Sequence, residues 1–108
     1  MADYKPLPFG LTIKPSSIQG LGVFTTILIK QGTNLGMSHL QFGSQIIRTP
    51  LGGFLNHSEK PNCEKVKLRF TNMDNHKMTF DFNKWNLVTI QDIKAGEELT
   101  VKYDWYKV

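Results

Sequence analysis

Leu51-Gly52-Gly53-Phe54-Leu55-Asn56-His57-Ser58-Glu59-Lys60-Pro61-Asn62-Cys63 is the stretch on which the reading of this chain turns. Its side chains suit neither a regular helix nor an ordinary strand. Two glycines free the backbone, Phe54 and Leu55 offer an apolar anchor, and Asn56, His57 and Ser58 follow as consecutive polar side chains. Pro61 stops a helix from continuing, and Asn62 favours a tight turn. Taken alone, the stretch is either a decorated surface loop or a site. The two ends of the chain decide between these readings.

Toward the N-terminus the sequence reads as short strands between turns. Residues 11–14 form a strand broken by Pro15-Ser16-Ser17, and Gly20-Leu21-Gly22-Val23-Phe24-Thr25 is a turn feeding a second strand. Residues 27–32 read as half-buried and end at Gly32, a position that calls for positive φ. Residues 33–40 and 46–48 are further strand candidates. Beyond the central stretch, residues 63–70 alternate with a clear period of two, Val66, Leu68 and Phe70 on one side and Lys65, Lys67 and Arg69 on the other. Residues 71–77 read as a polar loop, and residues 78–82 with 85–90 as a hairpin. Residues 92–99 start as one helical turn that meets Gly96, and residues 100–103 close the chain as a strand. No 3.6-residue period is sustained, which predicts an all-β dominated domain of many short strands.

Composition bounds the function. At 108 residues the chain supports one domain with a single modest core. No apolar run approaches the roughly 18 residues of a membrane span. Residues 1–6 lack the charged-then-apolar pattern of a secretory signal, so the expected setting is reducing: cytoplasmic, or nuclear in a eukaryotic host. Cys63 is the single cysteine and cannot close an intrachain disulfide. A structural zinc site needs about four close-spaced ligands, whereas His39, His57 and His76 are scattered, and no metal is expected. The net charge of +4 has no run behind it. The row Lys65, Lys67, Arg69 is either a solvated edge or a surface for an acidic or polyanionic partner. A nucleic-acid reading demands steep salt dependence and aromatics interleaved with the cations, and the latter are lacking.

Three stretches line up in order: Gly20-x-Gly22-Val23-Phe24, Asn56-His57-Ser58-x-x-Pro61-Asn62-Cys63, and Ala95-Gly96-Glu97-Glu98-Leu99-Thr100-Val101-Lys102-Tyr103-x-Trp105. Together they resemble the SET domain of protein lysine methyltransferases, over nearly the whole chain. The resemblance implies a β-clip of small curled sheets with a knot-like threading of the C-terminal segment that joins the second and third motifs. It implies S-adenosylmethionine as cofactor, S-adenosylhomocysteine as product and a lysine-bearing protein as substrate. Gly20, Leu21 and Gly22 would let the backbone approach the cofactor, and Asn56 and His57 would meet it largely through main-chain groups. On this reading His57 is not a general base. Tyr103 would be catalytic and border the cofactor, while Phe54, Val101 and Trp105 would line the lysine channel, with Tyr106 as a neighbour. Glu97 and Glu98 read as turn residues and solvent charges.

The implied chemistry needs little acid or base. Deprotonating a lysine at pH 7 costs about 4.6 kcal/mol from its ordinary pKa. A sulfonium about 4 Å away repels the ammonium by roughly 4 kcal/mol at an effective dielectric near 20, close to that deficit. A neutral phenol at Tyr103 can then align the reactants without adding charge.

The chain also departs from the family. Gly53 stands where many members carry an arginine, no cysteine-rich segment follows the tyrosine, and the interval between Gly22 and Asn56 is short. Cys63 is therefore expected to be a small buried side chain. With the groove walls trimmed, a homodimer or the folded substrate would have to complete the channel. A small residue at Val101 leaves the number of methyl groups transferred open. The competing reading is a non-catalytic module that keeps the scaffold and has lost the peptide groove.

Overall fold

The computed structural model describes residues 7–74 and 77–103, and within them three small sheets surround one core. Strands β1 (Leu11–Pro15) and β2 (Leu21–Thr25) pair antiparallel, Leu11 opposite Thr25 and Pro15 opposite Leu21. Gly20 closes their connection at φ +48°, and Ser16 donates its N–H to the Gly20 carbonyl at 2.8 Å. Gly32 takes φ +84°, as its place before a strand requires.

The largest sheet has the order β4-β3-β7-β6. It comprises β3 (Asn34–Phe42), β4 (Gln45–Arg48), β6 (Cys63–Asp74) and β7 (Lys77–Thr89), all antiparallel. Two expectations are corrected here. The polar loop expected over residues 71–77 is strand as far as Asp74 and again from Lys77, with a bulge between Asn72 and Met73. The hairpin expected within residues 78–90 is one continuous strand: Asn83 and Lys84 face Arg69 and Leu68 in unbroken register. Asn83 suits a two-residue reversal, but Lys84 stands where such a turn needs glycine, and pairing along the whole of β6 satisfies more backbone groups than a short local hairpin.

The central stretch contains a helical turn that its composition hid. Helix α1 (Pro50–Gly53) starts at an N-cap, Thr49, whose Oγ1 accepts from the Gly52 N–H at 3.3 Å. Pro50 occupies the first turn, where its missing N–H costs nothing. Gly52 is required for close approach, since a Cβ there would lie 2.1 Å from the Ser38 carbonyl oxygen of β3. Strand β5 (Asn56–His57) follows α1, and β8 (Thr100–Val101) pairs with it in parallel. The helical turn expected in residues 92–99 does not form. That segment runs extended beside β2, with bridges Phe24↔Glu98 and Ile29↔Ile93 and a turn at Gly96, φ +92°.

The core gathers side chains from every layer: Val23, Leu35, Leu51, Leu55, Cys63, Leu87, Leu99 and Val101, with Ile29 and Ile93 from the bridged segments. No single sheet owns it. Among the described residues no helix is long and apolar enough to cross a membrane.

Candidate active site

Two-residue strands offer few ladder hydrogen bonds, so the β5–β8 pair that assembles the site depends on side chains. Asn56 faces Thr100, His57 faces Val101, and Ser58 donates its N–H to the Val101 carbonyl at 3.0 Å. Asn62 secures the pair from below. It is 8% exposed; its Oδ1 accepts from the Thr100 N–H at 2.9 Å and its Nδ2 donates to the Glu98 carbonyl at 2.8 Å. Its own N–H donates to Thr100 Oγ1 at 3.3 Å, and its carbonyl accepts from the Ile90 N–H at 2.9 Å.

Just past β8 the chain returns over residues 55–57. The Tyr103 N–H donates to His57 Nδ1 at 2.8 Å, and the Tyr103 hydroxyl donates to the Leu55 carbonyl. The two rings lie 5.3 Å apart, tilted by 56°. Because Nδ1 accepts, a neutral His57 carries its proton on Nε2, which faces Glu59 Oε1 at 3.6 Å. Lys102 Nζ approaches the other oxygen of Glu59 at 3.6 Å. These exposed charges are screened by water and add little. His57 thus orients the tyrosine backbone. Tyr103 is 49% exposed. Its phenolic proton is committed to Leu55 while its oxygen lone pairs remain free to accept.

The glycine loop meets the same place from the other side. A Cβ at Gly20 would find no atom within 4 Å, so Gly20 serves its positive φ and leaves open space beside it. Gly22 is different: a Cβ there would lie 2.1 Å from Glu98 Oε2. Asn56 Nδ2 donates to the Gln19 carbonyl at 3.1 Å, the Leu21 carbonyl at 3.2 Å and Glu98 Oε2 at 2.8 Å. The Asn56 side chain is therefore occupied in holding the loop.

The other expected residues are dispersed. Leu21 is 47% exposed at the start of β2 and Phe54 is 38% exposed at the C-cap of α1. Val101 lies in the core at 1% exposed rather than on an open channel wall. Trp105 and Tyr106 fall outside the described residues, as does His76. Gly53, in the place of the arginine, has empty space where a Cβ would be. Cys63 is buried, and burial pushes its thiol up to about 12. No cluster of three or more His, Cys, Asp or Glu among the described residues could hold a metal. A cavity of about 440 Å³ lies elsewhere, between α1, β3 and Leu7, and touches none of the expected site residues.

Sequence reasoning missed three participants: Glu98, read as a solvent charge, Asn62, read as a turn residue, and Ser16. Glu98 is partly buried, and its Oε1 accepts from the Ser16 hydroxyl at 2.7 Å. Its place directly before the apolar Leu99 and the closing strand was the available signal. Ser16 lies 82 residues away and had none.

The SET domain family model matches residues 36–104. Among solved structures, the chain is similar to a candidate histone methyltransferase of Plasmodium falciparum. The two share 19% identity at a TM-score of 0.64, over 91% of this chain and 97% of that one. No curated protein sequence matches the chain.

Proposed function

This chain belongs to the SET-domain family, and on that premise we propose that it is an S-adenosylmethionine-dependent protein lysine N-methyltransferase. The observation that carries the reading is the anchoring of Tyr103 at two points, backbone N–H to His57 and hydroxyl to the Leu55 carbonyl. A half-exposed phenol held this way beside a parallel two-strand junction supports a role toward a bound ligand.

The residues present fit the cofactor. Gly20 opens space on the loop, residues 17–21 are exposed, and Asn56 and His57 are half-buried beside them. Bound S-adenosylmethionine would supply an electrophilic methyl group and a fixed positive charge. The residues of the chain supply alignment. With its proton held by Leu55, the Tyr103 oxygen presents lone pairs that accept from an incoming amine N–H or a polarised methyl C–H. The phenol stays neutral at pH 7 and so leaves the charge balance of the site unchanged. Holding a neutral amine in line is worth several kcal/mol of barrier.

Calorimetric titration with S-adenosylmethionine is expected to give saturable one-to-one binding reversed by S-adenosylhomocysteine. Methyl incorporation into lysine would then be measured on the chain itself and on a panel of purified lysine-bearing proteins. Tyr103→Phe should keep the fold and the binding and lose turnover by about 100-fold or more. Absent binding, or turnover unchanged by Tyr103→Phe, would favour a non-catalytic scaffold.

A further inference from the structure

Glu98 connects three segments that are far apart in sequence. Its carbonyl accepts from Asn62, its Oε1 accepts from Ser16, and its Oε2 accepts from Asn56, whose amide also reaches the Gln19 and Leu21 carbonyls. The carboxylate thus ties the β1–β2 connection to β5, directly through Ser16 and by way of Asn56 to Gln19 and Leu21. We propose that Glu98 is a positioning residue, setting this loop for cofactor binding, and that Gly22 is glycine to admit the Glu98 carboxylate. The first half rests on the methyltransferase reading; the second does not.

A carboxylate suits the place because both oxygens accept, and both partners donate. Glutamine can keep both contacts only in weaker, uncharged form, its oxygen accepting from Asn56 and its NH₂ donating to the Ser16 oxygen. Gly22 reports on the same contact. A Cβ there would lie 2.1 Å from Oε2, 2.8 Å from Cδ of Glu98 and 3.2 Å from Asn56 Nδ2. Glu98 is the movable party, so Gly22→Ala can be accommodated only by swinging the carboxylate away and giving up both of its hydrogen bonds. Gly22→Ala and Glu98→Ala therefore remove one and the same interaction. Had Gly22 been kept small for a ligand alone, Gly22→Ala would leave the free protein as stable as before.

The test is a double-mutant cycle by chemical denaturation of the full chain without cofactor. Glu98→Ala and Gly22→Ala should each lower the folding equilibrium constant by about tenfold, with the double variant no worse than Glu98→Ala alone. Additive losses, or no loss for Gly22→Ala, would overturn the Gly22 assignment. Cofactor binding below the denaturant transition then separates positioning from stability, with Glu98→Gln as the conservative control. The affinity of Glu98→Ala for S-adenosylhomocysteine should fall by about tenfold and that of Glu98→Gln by less, and the KM of Glu98→Ala for S-adenosylmethionine should rise while kcat at saturation holds. Affinity of Glu98→Ala equal to that of the unaltered chain would overturn the positioning role. If the unaltered chain binds no S-adenosylhomocysteine, the methyltransferase reading and the positioning role fail together, and the cycle still decides why residue 22 is glycine.

Discussion

His39 carries a clear electrostatic signature of its burial. It is 4% exposed on β3, and burial, followed by the charges of Lys65 and Arg48, lowers its pKa from 6.5 to about 4. The Ser38 hydroxyl donates to the Trp85 carbonyl at 3.2 Å, so His39 Nδ1, 2.9 Å from that hydroxyl, is the N–H that donates to it. The folded state thus holds a neutral imidazole. Between pH 6.5 and about 4 the unfolded chain takes up a proton that the folded chain refuses, so stability falls as pH falls through that window. The loss approaches about 3 kcal/mol and levels off below the folded pKa. Denaturant titrations at stepped pH should give this slope for the unaltered chain and a shallower one for His39→Gln. Equal slopes would assign the acid sensitivity to the carboxylates. The scattered histidines of the sequence suggested only the absence of a metal; burial of this one is a consequence of α1 lying against β3.

At the scale of elements, β8 depends on a side chain more than on its own ladder. Asn62→Ala strips partners from the Thr100 N–H and the Glu98 carbonyl at once. A loss of about 2–3 kcal/mol is expected, since the groups left behind are unpaired where water has poor access. Asn62→Asp keeps the acceptor for Thr100 and sets an oxygen against the Glu98 carbonyl, so it should be no better than alanine. Stabilities measured by thermal unfolding would check both; a milder effect of aspartate would mean that Thr100 carries the contact alone. The alternation in β6 was legible, but its register on β7, with Val66, Leu68 and Phe70 opposite Asn86, Lys84 and Phe82, was not. The destination of the apolar face was not legible. Val66, Leu68 and Phe70 remain 37–40% exposed, with Phe70 stacked on Phe82 at 4.9 Å and Phe42 5.3 Å from Phe82. Period two reveals sidedness, and sidedness alone cannot say which face the rest of the chain will cover.

At the scale of the molecule the core behaves as one unit because each sheet contributes only a few residues to it. Cys63 sits within that cluster at 1% exposed. With its thiol pushed up to about 12, it presents almost no thiolate at neutral pH. Alkylation by iodoacetamide should therefore be negligible in the native state and should proceed at the rate of global unfolding. Labelling followed by mass spectrometry, compared with the loss of far-UV circular dichroism in denaturant, checks this. Labelling that precedes the spectroscopic transition would mean that the β5–β8 junction opens by itself.

The sequence by itself determined the β-rich architecture and the order of the motifs, and it singled out Tyr103, Asn56 and His57, which the fold brings to one place. Each of these depends on local chemistry: alternation, glycine and proline placement, and a phenol in a recognisable motif. Only the tertiary structure decided that Glu98 and Ser16 meet, that Gly22 makes room for a carboxylate of the same chain, that Val101 is core, and that one long strand replaces a local hairpin. These are contacts between residues tens of positions apart, and their energies depend on which surfaces the folded chain brings together and which it leaves to water.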